Sequence, residues 1–441
     1  MHDASATHWK TVTLGKLAKG FRGVSYRPEN LLNGPSDYSV TLLRATNIQQ
    51  GKLAFTDVQV VPEWLVAPDQ ILEDGDIAVC MSNGSKALVG KCAPYRRKEE
   101  GRHTVGAFCS IFKPIESTES EFIFHLFRSQ TYQNNIDLVL AGSAINNLKN
   151  SSIESAIFKI PKNKQQRQKI ATILTSIDTA IEKTEALIAK YQQIKAGLMH
   201  DLFTRGVLPN GQLRPTREQA PELYHETAIG WIPKEWRLSN CVKEFSIDSG
   251  ITLGPHRRPA KRPHPYLRVA NVHRDDLRLN DVAFLEIISN DLERVLKKFD
   301  LLVVEGHANR KEIGRCAMVQ DDAEGMLFQN HLFRLRPNDM NPDYALLWMN
   351  SHHAQQYWER SCSSSSGLNT INRKMLGSMS VCVPQILEQF EILKAASSLK
   401  NKIECQVEIR SKLYNQKLGL MQDLLTGKVQ VQIRQKKEEP V

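Results

Sequence analysis

Arginine and asparagine recur together at matching places in this chain. Arg44 stands just ahead of Asn47, and about 224 residues later Arg268 stands just ahead of Asn271. Arg and Asn are the side chains that make paired hydrogen bonds to guanine and adenine edges in a DNA major groove. A turn contact or an internal salt bridge fits them equally well, because positions that read different half-sites should differ between copies. Two polar loops do differ: Ser82, Asn83, Ser85 and Lys86 stand against His307, Asn309, Arg310 and Lys311. Such groups would give two heads of distinct specificity, the alternative being solvated hairpin tips. The stretch His256-Arg257-Arg258-Pro259-Ala260-Lys261-Arg262-Pro263-His264 contains no acid, so Arg257, Arg258, Lys261 and Arg262 are expected to position phosphates, or else to form an exposed basic loop. A further backbone-contacting loop is expected at residues 361–367 with Asn369, Asn372 and Arg373. Its counterpart holds Ser143, Asn146, Asn147 and Lys149.

Familiar catalytic patterns are missing. The chain has no Gly-x-x-x-x-Gly-Lys-Ser/Thr loop, no Gly-rich turn of a nucleotide-binding fold and no Asp/Asn-Pro-Pro-Tyr/Phe tetrapeptide of an amino-methyltransferase. His352 and His353 are adjacent rather than one helical turn apart, which suits a solvated pair better than a metal site. Asp69, Glu73 and Asp76 could be forced into a nuclease-like metal site, but solvated turn acids explain them better. The 8 cysteines form no Cys-x-x-Cys pair, so reduced, mostly buried thiols are expected. A net charge of +10 over 441 residues suggests a polyanionic partner. No apolar run approaches the ~20 residues needed to cross a bilayer, and the first residues lack the pattern of a signal peptide, so the expected place is the cytoplasm.

The elements that must position these groups come twice. Leu43-Arg44-Ala45-Thr46-Asn47-Ile48 answers to Leu267-Arg268-Val269-Ala270-Asn271-Val272, and Val89-Gly90-Lys91-Cys92-Ala93 to Ile313-Gly314-Arg315-Cys316-Ala317. Collinear matches at nearly constant offset indicate a duplication. In each copy two short apolar runs, 76–80 with 88–92 and 300–304 with 313–317, flank a polar turn and predict strand, loop, strand. A compact helical segment follows at 122–129 and at 344–351.

After Pro161 the period changes. Ile170, Ile177, Thr184, Tyr191 and Leu198 recur every seventh residue, with Leu174, Ile181 and Ile188 between them, predicting one long helix that Gly206 can cap. A second begins after Pro384 and carries Ile392, Ala396, Leu399, Ile403, Leu413, Leu420 and Leu424, but Gln406 and Arg410 interrupt its seam. Each helix bears one apolar stripe, so the two should pack on one another. The organisation expected is a recognition domain at 1–160, a helix at 161–206, a polar linker at 207–228, a second domain at 229–383, a second helix at 384–430 and a tail at 431–441.

With these features the chain resembles the specificity subunits of type I restriction and modification systems. The resemblance rests on residues 161–207 and 384–429, on the closing words Gly197-Leu198-Met199-His200-Asp201-Leu202-Phe203-Thr204 and Gly419-Leu420-Met421-Gln422-Asp423-Leu424-Leu425-Thr426, and on Gly230-Trp231-Ile232-Pro233-Lys234-Glu235-Trp236. It implies an α+β chain of two tandem pseudo-symmetric target recognition domains, mixed and β-rich, separated by two long helices packed as an antiparallel coiled-coil spacer. It further implies sequence-specific binding of double-stranded DNA at a bipartite target, with no catalysis and no cofactor in this chain. Two methyltransferase subunits would bind S-adenosylmethionine and methylate adenine, and restriction/translocase subunits would use ATP and Mg2+. The arms differ at Gln165-Gln166 against Glu388-Gln389, and at Asp178 against Asn401. Alternatives are the specificity subunit of a related type II-like modification enzyme, a nuclease, and a coiled-coil scaffold that binds no DNA.

Overall fold

The computed structural model describes residues 8–96, 100–142, 146–259, 261–288, 290–365 and 367–433. Ser143, Ala260 and the tail from 434 onward lie outside the described residues. Contacts divide the chain into two units, Met1–Ala186 with Val407–Val441, and Leu187–Gln406.

In the first unit a four-stranded antiparallel sheet runs in the order Ala18–Arg22, Cys109–Pro114, Ile77–Cys80, Cys92–Pro94. A three-stranded sheet orders Gln59–Pro62, Ser39–Leu43 and His103–Val105, the last pair parallel. The second unit repeats both. Its four strands are Phe245–Ser249, Leu332–Pro337, Leu301–Val304 and Cys316–Met318, and its three are Ala283–Glu286, Pro263–Leu267 and Leu327–Phe328. The duplication read from sequence words is therefore a duplication of strand order.

The central strands show why an unbroken apolar run is needed there. In Ile77–Cys80 every residue is buried, and side chains alternate between faces: Ile77 and Val79 join one core, Ala78 and Cys80 another. Leu301 and Val303 likewise part from Leu302 and Val304. A buried acid anchors each strand start. Asp76 accepts from the Glu73 amide at 2.8 Å and pairs with Lys113 at 3.1 Å, while Asp300 accepts from the Lys297 amide at 2.8 Å and from Arg336 at 2.6 and 2.7 Å. Asp76 is thus a turn anchor.

The second runs of each copy begin later than expected. Residues 86–88 and 310–312 form single 3-10 turns, and the strands start at Cys92 and Cys316. Gly90 and Gly314 intervene at φ +82° and +68°, and a side chain at Gly314 would strike the Trp358 ring. The chain turns left-handed there, so pairing resumes only beyond it.

Both long helices form, at Lys164–Thr204 and Ile386–Thr426. Gly206 follows the first at φ +66°. Within the first unit the two run antiparallel, since Gln166, Asp178 and Glu185 meet Val431, Lys417 and Tyr414 in turn. Ile170, Ala171 and Leu174 of one helix share a core with Leu424 and Leu425 of the other and with Phe122, Phe127 and Ile160. Within the second unit Leu202 and Phe203 share a core with Ile392, Ala396, Tyr344 and Trp348, and the Val207 amide donates to Glu388 at 2.9 Å. Each apolar side chain so buried stabilises by about 1.5–3 kcal/mol. Further along the second helix buried Lys417, two heptads after Ile403, pairs with Asp178.

The stretch expected as a linker is largely exposed and is pinned at a few residues. Val207 is in the second core with Ile232 and Trp236, and buried Arg214 holds Glu388 and Glu235.

Candidate nucleic-acid interface

In each unit the structure gathers the differing loops. Ile77–Cys80 leads into Ser82, which bridges to Asn147, and the Asn146 amide donates to the Gly84 carbonyl at 3.3 Å. Asn83 accepts from the Ser85 amide, fixing the tip, while Ser85, Lys86 and Lys149 point to solvent. Ser82, Asn83, Ser85, Lys86, Asn146 and Lys149 thus share one surface.

The second unit builds the same junction with different chemistry. His307 pairs with Asn369 in a small sheet, and the Asn369 amide donates to the carbonyls of His307 and Ala308 at 3.3 and 3.0 Å. Asn309 accepts from the Lys311 amide at 3.1 Å, and Arg310 donates through Nε to the Cys362 sulfur at 3.2 Å. Its remaining guanidinium nitrogens and the Lys311 ammonium stay at an exposed tip.

Other expected contacts are committed within the protein. Asn47 is buried, accepts from the Arg44 amide at 2.8 Å and donates to Ala54 and Thr56 carbonyls at 2.9 and 2.8 Å. Asn271 does the same with Arg268, Arg278 and Asp281. Arg44 and Arg268 each clamp an aspartate, Asp57 at 2.7 Å and Asp281 at 2.8 Å. The turn and ion-pair reading therefore holds for both pairs, which explains why they match between copies. Asn372 caps the helix Arg373–Ser378 by accepting from the Met375 amide, and Arg373 donates to the Ile247 carbonyl at 2.6 Å.

The basic stretch is corrected in part. Its acids come from elsewhere in the chain: the Arg257 side chain is 9% exposed and pairs with Asp291, while Glu286 accepts from the amides of Lys261 and Arg262. Burial pushes the Asp291 carboxyl up, and hydrogen bonds from Arg257 and the Ile288 amide with the Arg257 charge bring it below its ordinary value. Arg257 is a buried pair member and unavailable to a phosphate. Arg258, Lys261 and Arg262 remain exposed.

Sequence reasoning missed one element. The turn Gly106-Ala107-Phe108 closes onto the first junction, its Phe108 carbonyl accepting from the amides of Met81 and Ser82 at 2.8 and 3.2 Å. Beside it lies a cleft of about 630 Å3 lined by Tyr26, Arg44, Ser82, Asn83 and Phe108. The signal was present, because no residue of this turn matches its counterpart Gln329-Asn330-His331.

Comparison with known proteins bears on this geometry. Residues 67–193 match the family described as type I restriction modification DNA specificity domain. The chain is 29% identical over 398 residues, 89% of its length and 82% of the relative's, to the specificity subunit of the type I restriction enzyme EcoKI from Escherichia coli (strain K12). It is 28% identical over 397 residues, again 89% and 82% of the two lengths, to that of StySPI from Salmonella potsdam. Over most of its length the chain is similar to type I restriction-modification specificity subunits. Solved structures share the fold. A chain from work on complex assembly and conformational transition of the type I R-M system superposes with TM-score 0.58 at 15% identity, over 96% of this chain and 99% of that one. The S subunit from M. genitalium gives 0.53 at 14%, over 96% and 98%.

The repeated strand order accounts for the two junctions. Among the described residues no helix is long and apolar enough to cross a membrane. All 8 cysteines are free and 7 are buried. Burial pushes the Cys92 thiol up to about 12, against a weaker lowering by Arg128 and Lys417, which leaves no thiolate at neutral pH.

Proposed function

We infer that this chain is the DNA-addressing subunit of a type I restriction-modification complex, each unit reading one half of a bipartite target. The observation that carries the reading is the pair of junctions: one topology, built twice, presents different polar side chains at corresponding tips. A duplicated frame with divergent tips is what recognition of two unlike half-sites requires. Arg310 and Lys311 in one unit, and Asn83, Ser85 and Lys86 in the other, are the proposed base- and phosphate-contacting groups. Arg258, Lys261 and Arg262 supply charge to the backbone.

In this reading the chain contributes no catalytic group. Two methyltransferase subunits bring S-adenosylmethionine, and restriction/translocase subunits bring ATP and Mg2+. The missing P-loop pattern and the burial of most of the thiols support that division of labour. The complex acts in the cytoplasm, where it meets genomic and incoming DNA.

Mapping methylated adenines in cells carrying the chain and its methyltransferase partner tests the reading. The expected result is one two-part motif. Arg310→Ala should relax bases in one half only, by about 1–3 kcal/mol of discrimination for a bidentate contact. Methylation without a sequence motif overturns the reading.

A further inference from the structure

The turns Gly106-Ala107-Phe108 and Gln329-Asn330-His331 occupy one place in the two units. Each enters the second strand of the four-stranded sheet, Cys109–Pro114 or Leu332–Pro337. Each is closed by a backbone bond from that strand's first residue, Cys109 to Gly106 at 2.8 Å and Leu332 to Gln329 at 2.9 Å. Each ends in a carbonyl that accepts the amide just after the central strand, Met81 to Phe108 at 2.8 Å and Glu305 to His331 at 3.0 Å. The backbones agree and no side chain does.

The first turn is apolar. Phe108 is 68% exposed at the rim of the cleft that Ser82 and Asn83 also line. Buried Met81 lies behind it. The second turn is polar in all three residues. His331 is exposed and holds Glu305 at 2.9 Å in the position equivalent to Met81. Among the described residues neither the Gln329 nor the Asn330 side-chain amide is bonded to the protein, and both are partly exposed.

We propose that these turns determine base specificity. Phe108 reads its half-site through apolar contact, against a thymine methyl group or a base face, and Gln329, Asn330 and His331 read theirs through hydrogen bonds to base edges. The chemistry follows from the groups present. A phenyl ring offers no donor or acceptor and discriminates by the thymine methyl or by stacking, whereas Gln and Asn amides match the donor and acceptor pair of adenine. Each turn abuts the polar tip already assigned to DNA, so the proposal rests on that reading and adds the bases each unit favours.

The test is the methylation motif of turn variants expressed with the methyltransferase partner. Phe108→Ala should lower discrimination about tenfold at a base of one half-site and leave the other half unchanged. Gln329→Ala and His331→Ala should do so only in the other half. If Phe108→Ala methylates nothing, Phe108→Leu is read by the same criterion. Total loss in both overturns the proposal, because it marks a structural rather than a reading role. A wild type without a two-part motif overturns the underlying reading and the proposal together. A wild-type motif that survives all turn variants unchanged, or falls evenly across all sites, overturns the proposal alone.

Discussion

The first unit buries a cation of the second long helix, and the second unit buries an anion of that same helix. Lys417 meets Asp178, which also takes Arg128 at 3.0 Å. Glu388 instead meets Arg214 at 2.9 Å and the Val207 amide at 2.9 Å. Where the first unit has Arg128 and Asp178, the repeat, aligned by its equally long helix, places Asn350 and Lys400. Asn350 turns inward, donating to the Cys316 carbonyl at 2.8 Å and accepting from its amide at 3.1 Å, while Lys400 is exposed. A duplicated chain with similar apolar stripes could pair its helix ends in the wrong combination. Unlike buried charges make the ends non-interchangeable, because a swapped pairing would set Lys417 against Arg214.

The comparison breaks most easily at Arg214 and Glu388, whose side chains are 5% and 9% exposed. Glu388→Leu should destabilise by about 3–5 kcal/mol by leaving buried Arg214 with only the exposed Glu235 as a charge partner and the Val207 amide without its acceptor, and adding Arg214→Met should recover most of it. Chemical denaturation of the single and double variants checks this, and equal losses in both would show that the pair itself carries little. Next comes a pH effect confined to the first unit. Burial lowers the His125 pKa from 6.5 to about 4, overriding the opposing Asp178 charge. The unfolded chain takes up this proton as pH falls below 6.5 and the folded chain resists it until about 4. That stability is therefore present above the unfolded value and lost across this window, by roughly 3 kcal/mol. Hydrogen exchange at pH 7 and pH 4.5 should show protection falling around Ser120–Phe127, and His125→Gln should flatten the response. A smaller loss, about 2 kcal/mol, is expected for Asp178→Asn, which removes the carboxylate and leaves Lys417 facing Arg128. Thermal unfolding measures it, and an unchanged midpoint would remove the charge argument. The smallest effect separates the two kinds of basic residue. Lys261→Gln should leave folding unchanged and reduce the salt dependence of DNA binding by about one counterion, whereas Arg257→Gln should lower stability instead.

Periodicity made the long helices legible because burial of one stripe demands a seven-residue repeat, and Ile170, Leu174, Ile181 and Ile188 are buried as that repeat requires. The duplication was legible because two copies must keep the same strand order. The missed features share one cause, which is that partners distant in sequence decide the fate of a polar residue. Arg257 and Arg258 are neighbours of the same chemistry, yet Asp291 takes one and leaves the other in solvent. Asn47 looked like a reader of adenine, and only the carbonyls of Ala54 and Thr56 reveal it as the fastening of a turn.

From residues alone came the two-copy plan, the paired helices and the family resemblance, since repeats and seams are local patterns whose physics depends on spacing. Tertiary structure decided which polar groups face outward. Hydrogen bonds and ion pairs close across tens or hundreds of residues, and a side chain already satisfied inside the protein has nothing left to offer a base.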